Sequence, residues 1–186
     1  MRIRSRLSSL PRQGLPTTEQ ALDFLKKSHC NRKIIKHSLV VAKTAAELAE
    51  ALLKKGTQLD KALVWSGALL HDVGRSVTID ARHGAEGARI LREAGFSEQL
   101  VRIAERHVGA GIPKDEAESI GLQPKDYVPE TLEEKIVCYA DKLVSGDKVT
   151  DIDYVVKSFA DRLGPDHPSI ARIKRLHQEI TDLLSG

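Results

Sequence analysis

The sequence predicts an all-α protein. Apolar residues recur at helical spacing along most of the 186 residues, and no stretch alternates apolar and polar residues for long enough to make a strand. The apolar fraction is 41% but aromatics supply only 4%, so the core has to be built from Leu, Ile, Val and Ala, a composition that favours helices. One domain is expected at this length. The 29 Lys and Arg exceed the 26 Asp and Glu by three, a surplus too small and too scattered to mark a nucleic-acid binder. No apolar run approaches the roughly 18 residues of a membrane helix. Two cysteines, Cys30 and Cys138, cannot make a disulfide framework and suit a reducing compartment, so a cytoplasmic location is expected.

The elements follow from the N-terminus. Residues 1–16 carry four arginines, two prolines and no acid, and lack the apolar stretch of a secretory signal; they read as a flexible arm. Thr17 or Thr18 can cap a helix to about Lys27. A long amphipathic pattern from Asn31 to about Lys55 places Ile34, Val41, Leu48 and Leu52 on one stripe, and Gly56 ends it. A third helix, about 58–72, is nearly apolar in its second half and therefore central, and Gly74 closes it. Further helices are expected at about 83–94 and 97–108. Three prolines between Gly109 and Glu130 predict a loop with one short helical turn. Helices resume at about 131–145, 151–163 and 168–184. The motif-bearing core spans about 20–145 within a single domain over 17–186, with extra C-terminal helices over 150–186.

Ionisable residues on apolar faces are the informative feature. His37 shares the stripe of Ile34 and Val41. His71 follows Leu63, Gly67 and Leu70, with Asp72 beside it. His83 shares a face with Gly87, Ile90 and Leu91, His107 continues the line of Leu100, Ile103 and Ala104, and Asp141 follows Val137. Burying an unpaired carboxylate costs several kcal/mol, on the order of the penalty for any isolated buried ion. Imidazoles and carboxylates from separate helices can satisfy one another by sharing a cation.

The ordered set His37, His71-Asp72, His83, His107 and Asp141 resembles the HD-domain superfamily of metal-dependent phosphohydrolases. The segment HDVG at 71–74 is similar to that superfamily's HDIG variant, and IIKHSLVVA, GALLHDVGR and CYADKL supply matching contexts. The resemblance covers about residues 20–145 and implies a bundle of about five core helices. It also implies that His37, His71, Asp72 and Asp141 hold one metal ion, while His83 and His107 complete a second position bridged by Asp72, the central catalytic ligand. Four imidazoles and two carboxylates suit Fe, Mn, Co, Ni or Zn.

Two such divalent transition-metal ions would activate a water for hydrolysis of a phosphoester or phosphoanhydride. The expected substrate is a nucleotide or other small phosphate, dinucleoside polyphosphates included. Arg75 and Lys142 are the expected phosphate clamps. Glu86 reads first as an exposed helix carboxylate, with orienting His83 or passing a proton as the alternative, and Arg82 and Arg106 could add positive potential at the cleft mouth. His29, His167 and His177 read as loop or surface residues, and Cys138 as a small core residue. Tyr154, Val155 and Phe159 share a face, for which core packing is the preferred reading over base stacking. The C-terminal helices are expected to shape the pocket, close over it or form a homodimer contact. Two alternatives stay open: a diiron oxygenase cleaving C–C or C–P bonds with the same ligands, and a non-catalytic ligand-sensing domain.

Overall fold

The structure, a computed structural model, describes residues 14–186; residues 1–13 of the expected arm lie outside the described residues. The end of that arm is anchored, because Leu15 packs on the core and the Pro16 carbonyl accepts from the Ser66 hydroxyl at 3.3 Å.

Most of the helices start where a capping side chain satisfies the first free N–H groups. α1 (Thr18–Lys27) opens on a capping box in which Thr17 and Gln20 exchange side-chain to backbone bonds. α2 (Arg32–Lys54) is capped by Asn31 and α3 (Lys61–Leu70) by Asp60. α4 (His83–Glu93) lacks a side-chain cap, whereas α5 (Glu98–Arg106) begins at Ser97. α6 (Lys114–Ser119) is the short helical turn expected in the Pro-rich loop. Thr131 caps α7 (Leu132–Lys142), Asp151 caps α8 (Ile152–Leu163) and His167 caps α9 (Pro168–Ser185).

Two expectations are corrected. The third helix is shorter than 58–72, since Asp60 caps it and the chain passes after Leu70 into a 3-10 turn at Val73–Ser76. The seventh ends at Lys142, before 145, because β1 (Val144–Ser145) and β2 (Lys148–Val149) fold into a small antiparallel hairpin. Gly146 makes that turn with φ of +64°, a conformation costly for other residues. A two-residue strand is too short to register as alternation.

α3 is the axis of the bundle, buried from Leu63 to Leu70 apart from Trp65, whose indole N–H reaches the Thr18 hydroxyl at 2.9 Å. α1, α2, α5 and α7 pack around it; α4 lies on α5 and on the 3-10 turn, while α8 and α9 pack on each other. Fully buried Leu25, Leu52, Leu69, Leu91 and Ile136 each contribute about 1.5–3 kcal/mol. Gly74 lies in the 3-10 turn and has no positive φ to offer. Its role is close approach: a Cβ there would overlap the His83 carbonyl oxygen and the Gly87 nitrogen. Its lack of a side chain therefore lets α4 carry His83 up to Asp72.

Candidate metal centre and phosphate cleft

The bundle brings all six predicted ligands together. His37 comes from α2, His71 and Asp72 from the end of α3, His83 from the first residue of α4, His107 from just past α5, and Asp141 from the last turn of α7. Five are buried, and His37 keeps 15% of its side chain open to solvent.

The four imidazoles are oriented alike. Nδ1 lies 2.8 Å from the Gly146 carbonyl in His37, 2.7 Å from Ala68 O in His71, 2.6 Å from Asp80 O in His83 and 2.8 Å from Ala104 O in His107. A carbonyl only accepts, so each Nδ1 carries hydrogen, and a neutral ring then presents a lone pair at Nε2. All four Nε2 atoms turn toward Asp72 and Asp141. The Asp80 carbonyl, not Glu86, orients His83; Glu86 is a helix-surface carboxylate paired with Arg89 at 2.9 Å.

Asp72 lies between two imidazole pairs. Its Oδ1 is 3.3 Å from His83 Nε2 and 3.4 Å from His107 Nε2, while Oδ2 is 3.7 Å from both His37 Nε2 and His71 Nε2. Asp141 Oδ1 lies 3.0 Å from His37 Nε2 and 3.4 Å from His71 Nε2. With hydrogens committed to the Nδ1 atoms, these approaches set acceptor against acceptor. Buried His71 Nε2 and Asp72 Oδ1 accordingly have no hydrogen-bond partner, and the Nε2 atoms of His83 and His107 stand only 3.0 Å apart. Convergent lone pairs on orphaned buried atoms fit a cation, and a polar core satisfied from within would not leave them so. His37, His71 and Asp141 form one such group and His71, Asp72 and His107 another, with donor atoms inside 4.8 Å in each.

Charge follows the same plan. Burial opposes ionisation of Asp72, but positive charge or a proton on the facing His71, His107 and His83 rings outweighs it and holds its carboxyl well below the usual range. Burial likewise opposes Asp141, and Lys142 with His37 and His71 depresses it too. Burial pushes His107 down to about 4, which keeps that ring neutral and able to ligate.

The two predicted clamps engage the carboxylates. Arg75 Nε donates to Asp72 Oδ2 at 2.7 Å, and Lys142 Nζ reaches Asp141 Oδ2 at 2.6 Å. Both line a cleft of about 400 Å³ that opens over His37, Asp72 and Asp141. Arg82 and Arg106 are elsewhere engaged, the first with Asp80 and the second with Glu130 and Glu134. His29 is exposed, His167 caps α9, and half-buried His177 bonds the Tyr139 hydroxyl at 2.7 Å. Cys138 is buried as expected, its thiol donating to His107 O at 3.2 Å.

Sequence reasoning missed Lys33 and Arg162, which also line the cleft. Of the face expected to pack on the core, Val155 is buried and Phe159 packs partly buried against that core, whereas Tyr154 is exposed; both rings also wall the cleft. The i, i+4, i+8 spacing of 154, 158 and 162 was the available signal, since it sets a polar and aromatic stripe beside the Val155 anchor.

A helical bundle that gathers four imidazoles and two carboxylates beneath a basic cleft is the architecture of a metal-dependent phosphohydrolase. Residues 34–146 match the HD domain family, and the chain belongs to it. HD domains bind divalent metal ions, and this cluster has the donors for them. The chain is 54% identical over 166 residues to the uncharacterized protein MJ0778 of Methanocaldococcus jannaschii, a match covering 89% of this chain and 98% of that protein. It is 40% identical over 169 residues to the tRNA (cytidine(56)-2'-O)-methyltransferase of Picrophilus torridus, covering 91% of this chain but 48% of that protein. The chain thus spans about half the length of that relative. The fold resembles the HD domain of the L. monocytogenes phosphodiesterase PgpH in complex with cyclic-di-AMP, with a TM-score of 0.53, 17% identity, and coverage of 89% of this chain and 93% of that one. Among the described residues no helix is long and apolar enough to cross a membrane.

Proposed function

We propose that this chain hydrolyses a phosphoester or phosphoanhydride bond of a nucleotide or another small phosphate, dinucleoside polyphosphates included. In this reading His37, His71, Asp72 and Asp141 would hold one divalent transition-metal ion. His83 and His107 would hold a second, with Asp72 serving both. The observation that carries it is the division of Asp72: one oxygen faces the His83–His107 pair and the other faces His37 and His71, with the four Nε2 atoms converging on the carboxylates. Bound ions of this kind supply Lewis acidity and lower the pKa of a coordinated water toward neutrality.

The chain's own groups do the rest. The backbone carbonyls at Ala68, Asp80, Ala104 and Gly146 fix the ring tautomers, so no ligand has to reorganise. Arg75 and Lys142 hold the carboxylates in place and present positive charge to phosphate oxygens entering from the cleft. Lys33 and Arg162 extend that field outward, which supports a phosphate over an uncharged substrate of an oxygenase.

The test is elemental analysis of the purified full chain, followed by a phosphatase and phosphodiesterase panel with Mn, Fe, Co, Ni or Zn. Two ions per chain and metal-dependent phosphate release are expected. A chain that takes up no transition metal, or a loaded chain inert on every phosphate while it consumes oxygen, would overturn the reading.

A further inference from the structure

α8 lies beyond residues 34–146, yet it closes one side of the cleft. Tyr154, Ser158 and Arg162 recur every four residues along it, with Phe159 beside them, while Val155 on the adjoining stripe is buried and fastens the helix. The Arg162 guanidinium lies 4.6 Å from the Phe159 ring centroid, and Lys142 Nζ lies 5.9 Å from the same point. Phe159 therefore links the cation on Asp141 to a second cation farther along α8. Tyr154 is 50% exposed, and its hydroxyl meets Ser145 Oγ of the hairpin at 3.5 Å.

An aliphatic phosphate would use the cations of this cleft and leave the aromatic wall in water. A nucleoside phosphate would use both. Aromatic rings and guanidinium planes stack on bases of any sequence, and such stacking is worth roughly ten- to hundredfold in affinity per base. The cleft of about 400 Å³ is of a size for one small ligand.

Building on the phosphate-cleft reading above, we infer that α8 is a nucleobase platform: the base of one nucleoside phosphate stacks on Tyr154 and on the Arg162–Phe159 layer, while its phosphate faces Arg75 and Lys142. α8 then sets substrate class, and the metal ligands set reaction type.

The experiment compares AMP with ribose 5-phosphate, which carries the same phosphate on the same sugar without the base, by calorimetric titration of the Mn-loaded full chain. AMP should bind at least about tenfold more tightly. Tyr154→Ala should weaken AMP by about tenfold and shift ribose 5-phosphate by less than about twofold, whereas Tyr154→Phe should retain the preference. Arg162→Ala should weaken both ligands, because it also removes a cation from the cleft, but AMP by the larger factor, and circular dichroism checks that each variant is folded. Equal affinity of the wild type for the two ligands would overturn the platform and leave the phosphate site standing. Equal weakening of both ligands by Tyr154→Ala would also overturn it. Binding of neither ligand would overturn the platform together with the phosphate-cleft reading.

Discussion

His83 and His107 face each other, Nε2 to Nε2, at 3.0 Å, and each ring has already given its Nδ1 hydrogen to a backbone carbonyl. Two lone pairs at that separation repel unless a proton or a metal ion lies between them. Asp72 Oδ1 is within 3.4 Å of both, so the position is built for positive charge. His83→Ala is expected to remove about one of two ions per chain, and Asp72→Ala to lower occupancy at both positions and reduce phosphate release to background. Mass-spectrometric metal counts on the variants check this; two ions retained in Asp72→Ala would contradict the bridging role.

Metal removal should destabilise the bundle, because His71 Nε2 and Asp72 Oδ1 are then left buried without a partner. An ion present at a thousand times its dissociation constant stabilises by about 4 kcal/mol. At about 2–4 °C per kcal/mol for a chain of this size, a chelator should lower Tm by about 10 °C. Differential scanning calorimetry with and without EDTA reads the shift, and equal Tm values would count against a structural ion.

Lys142→Met should separate the two services of that lysine. Its ammonium sits 2.6 Å from Asp141 Oδ2 with only 11% of the side chain exposed. Removing one partner of a buried pair costs about 3–5 kcal/mol, and a bound ion near Asp141 should recover part of that. Denaturant unfolding of the metal-free and metal-loaded variants should show the larger loss in the metal-free form.

Two glycines make a paired test of packing. A Cβ at Gly67 would press on the tip of the Ile103 side chain, which can shift, whereas one at Gly74 would press on the backbone of His83 and Gly87, which cannot. Gly67→Ala should cost about 1–2 kcal/mol and Gly74→Ala about 3 kcal/mol or more, the latter with loss of the ion nearest His83. Equal Tm changes would refute the distinction.

The two thiols predict an alkaline limb. Burial, with Asp72 nearby, pushes Cys30 up to about 11, and burial pushes Cys138 up to about 12, from an ordinary 9.0. The unfolded chain loses these protons first. The thiols' contribution is therefore whole below pH 9.0 and is lost as pH climbs toward 11 and 12. At about one unit above the unfolded pKa each thiol should cost about 1.4 kcal/mol. Unfolding of the wild type and of a Cys30→Ala, Cys138→Ala variant between pH 8 and about 10 should show the flatter limb in the variant.

Much of the bundle was legible because α2, α4, α5 and α9 each present a buried stripe that hydropathy registers, and because Thr17, Asn31 and Thr131 cap where a short side-chain acceptor was needed. The six polar residues stood out for the opposite reason: each interrupts such a stripe. The hairpin at 144–149 was illegible, since two-residue strands carry no periodicity and Val144 fits the preceding helical line. Tyr154 was misread because spacing assigns residues to a face without saying whether that face meets protein or a cleft. The orienting role of the Asp80, Ala104 and Gly146 carbonyls could not be read at all, since every residue has a carbonyl.

Three of the four rings take their bearing from a carbonyl three positions earlier: Ala68 for His71, Asp80 for His83 and Ala104 for His107. His37 instead leans on Gly146, 109 positions away. During assembly the first three can acquire their aim as soon as their own segments form, while the fourth must wait for the chain beyond α7 to return. The cage is thus finished by its most distant stitch, and a polypeptide stopped short of Gly146 would leave its one solvent-facing ring without a bearing.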